Sequence, residues 1–227
     1  MAGTGGRAGA TRQRVLEATL GLFNERGFGV TVAEIAAACG MREGNLHYHF
    51  RKKELLIATL FERFQEEELA VAEAELGDAA AAESYAEYQL GWFALMWRYR
   101  CFYRDAFNLQ HRLPGLKGRF MEVQARASAA VARVMALATE HGFLAIPAGR
   151  IRSFVTNVWI VSSYWMDYLR TSTASAGLTE QQMQWGFGQV MALFEPYLTP
   201  AGRAAFSPLA QRAAALVMRE DEPGGRG

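Results

Sequence analysis

Arg42, Glu43, Gly44, Asn45, His47, Tyr48 and His49 fall within eight residues, and Lys52 and Lys53 follow at once. These are side chains that read and grip DNA. Asn makes two hydrogen bonds to adenine, Glu accepts from cytosine N4, and Gly lets the backbone approach closely. His and Tyr bond phosphates or stack on sugars. The bland reading is a solvated polar face on a short helix. A second group is apolar and aromatic: Trp92, Met96, Trp97, Tyr99, Phe102 and Tyr103, with Met121, Met135 and Trp159 on facing segments. Such residues line an apolar ligand cavity or fill an ordinary core, and their types do not decide between the two. Among them Arg100 and Arg104 share a helical face, where structural pairing with carboxylates competes with capture of an anionic ligand. Catalysis finds no such support. His47 and His49 point about 200° apart on a helix, unlike a metal-binding i, i+4 pair. His111 and His141 are isolated. No P-loop, dinucleotide fingerprint, CxxC or nucleophile signature is present, so neither a cofactor nor an enzyme activity is expected.

The first group needs a scaffold, and the preceding residues supply one. Thr31 and Glu34 have the spacing of a capping box. Val32, Ile35, Ala36 and Cys39 repeat on one face, and Gly40 provides the left-handed turn that ends the helix. A second short helix over about 43–49 buries Leu46 and leads to Phe50. Two short helices hinged through a glycine turn are a helix-turn-helix, which lays its second helix in a major groove. Arg42 and Lys52 sit at helix starts, where a cation costs about 0.3–1 kcal/mol unless a phosphate binds there. Upstream, Val15, Leu16, Thr19, Leu22 and Phe23 line a helix over about 11–26. The three helices make a unit too small to be independent.

The remaining chain reads as helix throughout. Helices are expected over about 53–76, with an acidic end that either frays or meets a basic neighbour, and 81–104, apolar on nearly every side and so central in a bundle. Others follow over 105–112, 116–140, 147–170 and 180–198, with Thr179 as N-cap. Two short helices start at Thr199-Pro200 and Ser207-Pro208. The expected architecture is all-α: a disordered tail (1–10), a helix-turn-helix domain (11–53), a helical ligand-binding and dimerisation domain (54–218) and a second tail (219–227).

At 227 residues the chain can bury a sizeable core, and its net charge of +1 hides an asymmetry. Residues 1–55 carry eight Lys and Arg against five carboxylates, leaving the remainder slightly acidic, a modest footprint for DNA. The longest apolar uncharged run, Ser153–Met166, falls short of the about 20 residues a bilayer requires. No secretory h-region is visible, and Cys39 and Cys101 sit in apolar helical patterns. These features lead to the expectation of a cytoplasmic protein with reduced core thiols and no membrane partner.

The stretch TVAEIAAACGMREGNLHYHFRKKELL resembles the DNA-binding signature of the TetR family of transcriptional regulators. The upstream TRQRVLEATLGLFNERGF resembles that family's first helix, and YHF–x–x–K ends at Lys53 as its pattern does. LMWRYRCFYRD is similar to the opening of the ligand domain in one subgroup. The likeness is strong over residues 11–60 and weaker to about residue 200. It implies contacts to a double-stranded, palindromic operator from Thr31, Arg42, Glu43, Gly44, Asn45, His47, Tyr48, His49, Lys52 and Lys53. It also implies repression relieved by a small-molecule ligand, and a homodimer through the helices near 148–170 and 180–198. One of these helices presents Val155, Trp159, Ser162 and Ser163 and the next Trp185, Gly186, Gly188 and Met191, small residues beside large aromatics that suit the dimer bundle or, alternatively, an intramolecular core. His47 stands where the family commonly has Tyr, and Arg42 and Lys52 where it has small polar residues. The helix beginning at Lys53 would carry the ligand's effect. The rival is a helical ligand-binding protein or enzyme of the same fold that binds no operator.

Overall fold

The computed structural model describes residues 4–112, 115, 117–172, 179–209 and 211–213. Its α-helices are α1 (Thr4–Arg26), α2 (Val32–Ala38), α3 (Glu43–His49), α4 (Lys53–Ala72), α5 (Ala82–Arg98), α6 (Arg100–Arg112), α7 (Lys117–Glu140), α8 (Ile151–Ser172), α9 (Glu180–Ala192) and α10 (Pro200–Phe206). No strand occurs among the described residues; Leu144 and Leu198 form one isolated antiparallel bridge. The all-α expectation holds. The first helix starts at Thr4, inside the stretch expected to be disordered. The tail over 219–227 and most of the linker after Thr171 lie outside the described residues.

The chain divides into two compact units, and the division is not at residue 53. One comprises residues 1–65 and 99–117, the other 66–98 and 118–227. The first unit therefore holds α1, α2, α3, most of α4, and α6. Val15, Leu16, Leu20 and Phe23 of α1 are buried with Ile35, Leu46, Phe50, Leu56 and Leu60. Lys53 is half-buried, whereas Leu55, two residues on, is 50% exposed.

The aromatic run expected to continue from 81 to 104 breaks at Tyr99, with α5 ending at Arg98 and α6 starting at Arg100. A tertiary bond compensates the break: the Cys101 N–H donates to Asn24 Oδ1 at 3.1 Å, where Asn24 is itself buried. Beside it the Arg104 guanidinium donates to the carbonyl oxygens of Phe23 (2.9 Å) and Asn24 (3.4 Å). These carbonyls close α1, so Arg104 acts as a side-chain cap for a helix more than 75 residues away in sequence. Gly27 follows at φ 74°, and a Cβ there would lie 3.0 Å from Arg104 Nη2. Cys101 is fully buried, and burial pushes its thiol up to about 12. Cys39 is buried too, and both thiols are free.

In the second unit, the acidic end of α4 meets basic neighbours, one of the two outcomes its sequence left open. Arg98 lies 3.3 Å from Glu67, Arg119 3.5 Å from Glu66 and Arg126 2.9 Å from Glu73. Helix α8 packs on α9 at Gly186, where a Cβ would come within 2.4 Å of the Trp165 ring. Thr179 caps α9, accepting the Gln182 N–H at 3.2 Å while Gln182 Oε1 accepts the Thr179 N–H at 3.0 Å. Pro147 precedes a 3-10 turn (Ala148–Arg150) rather than starting α8, and α9 stops at Ala192 before a second 3-10 turn, Glu195–Tyr197. Thr199 caps α10, as its sequence predicts, and its hydroxyl also donates to Gly142 O at 2.7 Å.

Candidate nucleic-acid interface

The turn between α2 and α3 is built as its residues require. Thr31 is extended (φ −82°, ψ 162°), and its hydroxyl accepts the Glu34 N–H at 3.3 Å. Glu34 Oε2 accepts the Thr31 N–H at 2.7 Å and also its hydroxyl at 2.8 Å. The Arg26 guanidinium pairs with the other carboxylate oxygen. These bonds, led by the Thr31 N–H, lower the Glu34 carboxyl to about 2. Gly40 takes φ 64°, a backbone region that costs an L side chain, and the Met41 N–H returns to Ala36 O at 3.0 Å. This frame fixes the direction in which α3 leaves the turn.

Helix α3 buries Leu46 and exposes nearly everything else. Arg42, Glu43, Gly44, Asn45, His47 and Tyr48 are exposed, Tyr48 at 85%, and His49 is half-buried with its ring 5.4 Å from that of Tyr48. Arg42 occupies the N-cap without a side-chain cap bond. The exposed faces of Arg42, Asn45, Tyr48 and His49 join Thr11, Arg14, Gly40 and Met41 around a concave surface of about 610 Å³. Thr11 and Arg14 were not among the sequence candidates. Arg14 is a cation lying outside the apolar stripe of α1, and that signal was available.

Two candidates are placed differently from the rest. The Thr31 hydroxyl is engaged in the capping box. The Lys53 ammonium donates to Phe28 O at 2.6 Å and stands 6.0 Å from the Phe23 ring centroid. It ties the loop after α1 to the start of α4, while Lys52 beside it is exposed. Arg12 from α1 lies 4.7 Å over the Phe50 ring. The short helices are thus held by cations acting as structural pins as well as by their small core.

The aromatic candidates separate into two sets. Tyr99, Phe102 and Tyr103 belong to the first unit and are buried among Phe28, Phe61 and Phe64. Ring centroids there lie 5.5 Å apart for Phe64–Phe102, 5.3 Å for Phe64–Tyr99, 5.4 Å for Phe64–Tyr103 and 5.5 Å for Phe28–Phe102. Trp92, Met96 and Trp97 belong to the second unit, where Met96 and Trp97 are buried and Trp92 is half-buried. The Trp92 ring meets that of Trp159 edge-on at 5.4 Å. Both pack against a small-residue cluster of Ala72, Ala127 and Ala130. Met135 is buried on α7, whereas Met121 is 60% exposed. Arg104, weighed as a carboxylate or anion partner, spends its guanidinium on backbone carbonyls, with Asp105 3.8 Å away. The side chain of His111 lies outside the described residues.

Two family models match consecutive stretches of the chain. A family model described as bacterial regulatory proteins of the tetR family matches residues 15–60, and a TetR model described as a bacterial transcriptional repressor matches residues 63–206. A TetR-family transcriptional regulator from Marinobacter aquaeolei VT8 is 30% identical, with 89% of this chain and 98% of that chain covered at a TM-score of 0.73. The TetR family protein CprB from S. coelicolor A3(2) shares the fold at 18% identity, 92% and 98% coverage and a TM-score of 0.60. A gamma-butyrolactone receptor, described as ArpA-like, does so at 17% identity, 92% and 98% coverage and a TM-score of 0.59. No curated protein matches the chain.

Proposed function

Because the chain belongs to the TetR family of bacterial transcriptional regulators, we propose that the exposed face of α3, with Thr11 and Arg14 of α1, is its operator-reading surface. In this reading Asn45 and Glu43 meet base edges. Arg14, Arg42, Lys52, Tyr48 and the two histidines meet phosphates and sugars. Thr31 and Lys53 contribute by fixing the loop and turn that aim α3. The observation that carries the proposal is the single concave surface on which Arg42, Asn45, Tyr48 and His49 join a cation from α1.

Two copies act together on a palindromic site, and the second unit offers the surface for pairing. Ile160, Tyr164 and Tyr168 recur every four residues along α8 and are 51%, 56% and 61% exposed. Trp185 of α9, 40% exposed, stacks on Tyr168 at 6.0 Å and extends the strip. An apolar strip of that kind on neighbouring helices suits an isologous interface. A small ligand in the second unit releases the operator, and Trp92, Met96, Trp97 and Trp159 are the side chains nearest to hand for it. No helix among the described residues is long and apolar enough to cross a membrane.

Gel-shift titration against duplex fragments from around the protein's own gene tests this reading. Binding is expected at submicromolar protein in low salt and should weaken steeply as salt rises. Arg14→Ala should weaken binding to all duplexes alike and reduce the salt slope by about one. Asn45→Ala should relax preference at one base step, at a cost of about 1–3 kcal/mol. The absence of any shift below micromolar protein would overturn operator binding. Sequence-blind losses from Asn45→Ala would remove that residue from base readout.

A further inference from the structure

Helix α3 has little of its own to hold its direction. It is seven residues long, and a helix of two turns is marginal without support from its neighbours. Its N-cap, Arg42, makes no side-chain cap bond, in contrast to the capping box that opens α2. Its C-cap, Phe50, is extended (φ −140°, ψ 103°), and its N–H donates to Leu46 O at 2.8 Å. The Phe50 ring is buried, so the far end of α3 goes where that ring is held. An exposed side chain covers it. Arg12 of α1 sets its guanidinium carbon 4.7 Å from the Phe50 ring centroid, and its Nη2 donates to Thr59 Oγ1 of α4 at 3.4 Å. One residue thereby touches three elements: its own helix, the end of α3 and the flank of α4.

Arg12 stands two residues from Arg14 and has a different role. Residues two apart on an α-helix point about 200° away from each other. The concave surface shared by Arg42, Asn45, Tyr48 and His49 takes Thr11 and Arg14 from α1, and not Arg12 between them. Arg14 thus presents its charge where a duplex would lie. Arg12 spends its planar cation on a ring face, a stacking geometry that suits guanidinium better than ammonium. Asn45 and Glu43 sit within the two turns that this ring anchors, and hydrogen bonds to base edges weaken steeply once their angle is lost. We infer that Arg12 is a positioning residue for operator recognition: acting through Phe50, it aims α3 so that the base-reading side chains keep their register, and it contributes no phosphate contact itself. The inference deepens the proposed function and rests on it. Its loss has a signature that a phosphate-binding cation cannot give, because specificity falls while the electrostatic grip stays.

The test uses the full-length protein and two duplexes: the fragment from around its own gene that it shifts best, and a scrambled duplex of equal length and composition. Arg12→Gln should lower the ratio of the two affinities about three- to fivefold, about 0.7–1 kcal/mol at about 1.4 kcal/mol per factor of ten. Its salt slope should stay within about half a unit of the parent's. Arg14→Ala should do the reverse, lowering the slope by about one and keeping the ratio. A variant that only unfolds more readily loses both affinities by one factor, so the ratio separates positioning from stability. Phe50→Leu removes the ring face, and the double variant with Arg12→Gln should discriminate no worse than Phe50→Leu alone. An unchanged ratio in Arg12→Gln, equal losses on both duplexes with the slope lowered by about one, or additive losses in the double variant would each overturn the inference. The first two outcomes need only an exposed substitution, so a folding defect in Phe50→Leu cannot hide a failure. A parent protein that shifts no fragment would overturn the operator reading and this inference with it. A parent that discriminates no better than Arg12→Gln would overturn this inference alone.

Discussion

The two aromatic clusters share the 92–103 stretch and differ in how far their rings are closed. Around Phe64 and Phe102 the rings are closed on one another, Phe102 at 2% exposure, and the cluster joins α4 and α6 beside the DNA-binding helices. Around Trp92 and Trp159 the rings remain partly open. Hydrophobic content does not distinguish these regions. The difference lies in closure. The first cluster is tied to α1: Asn24 Oδ1 accepts from the Cys101 N–H, and Arg104 closes two α1 carbonyls. Rings closed on one another and tied to α1 read as a joint, and rings left partly open read as a receptor.

Truncation of the rings is the strongest test of that contrast. Phe102→Ala should cost about 3–5 kcal/mol in denaturant unfolding, because it opens a cavity among rings that have no solvent to admit. Trp92→Ala removes more atoms from a partly open site and should cost less than about 3 kcal/mol. Equal costs would erase the distinction between joint and receptor. Next comes Arg104→Met, which keeps most of the stem but leaves the Phe23 and Asn24 carbonyls without their cap. A loss of about 1–3 kcal/mol is expected, with reduced operator affinity, since α1 also carries Arg14. An Arg104→Met protein of parental stability would show the cap to be idle.

The same contrast explains what was legible beforehand. The capping boxes at Thr31 and Thr179, the Gly40 turn and the acidic end of α4 rest on rules acting over three or four residues, and each forms as its sequence implies. The break at Tyr99 carries no Gly or Pro. It is supported by a bond to Asn24, 77 residues earlier, which local periodicity cannot register. For that reason residues 92–103 read as one ligand wall, while the structure gives Tyr99, Phe102 and Tyr103 to the first unit. Lys53 was similarly opaque. Its charge and position beside α3 suggest a phosphate, but the carbonyl of Phe28, across a loop, takes its ammonium. The acidic end of α4 reads as one group in the sequence, and only burial separates Glu68 from Glu66, Glu67 and Glu73.

The smallest expected effect concerns the frame that aims α3, where Thr31 and Glu34 are bonded to each other at the surface. Thr31→Ala should cost about 1 kcal/mol, the usual loss of a hydroxyl N-cap. The acid side adds a signature. Glu34 drops from an ordinary 4.5 to about 2 in the folded chain, chiefly because it accepts the Thr31 N–H and hydroxyl, with Arg26 assisting. A carboxyl lowered by folding stabilises the native state above its ordinary value and loses that contribution as pH falls through the folded value. Stability of the parent protein should therefore decline between about pH 4.5 and 2, and Thr31→Ala, lacking the hydroxyl bond to Glu34, should decline less steeply across that window. Unfolding curves collected at several pH values measure both slopes. Parallel slopes would mean that the side-chain half of the box adds nothing to Glu34, leaving the backbone N–H and Arg26 to hold the start of α2.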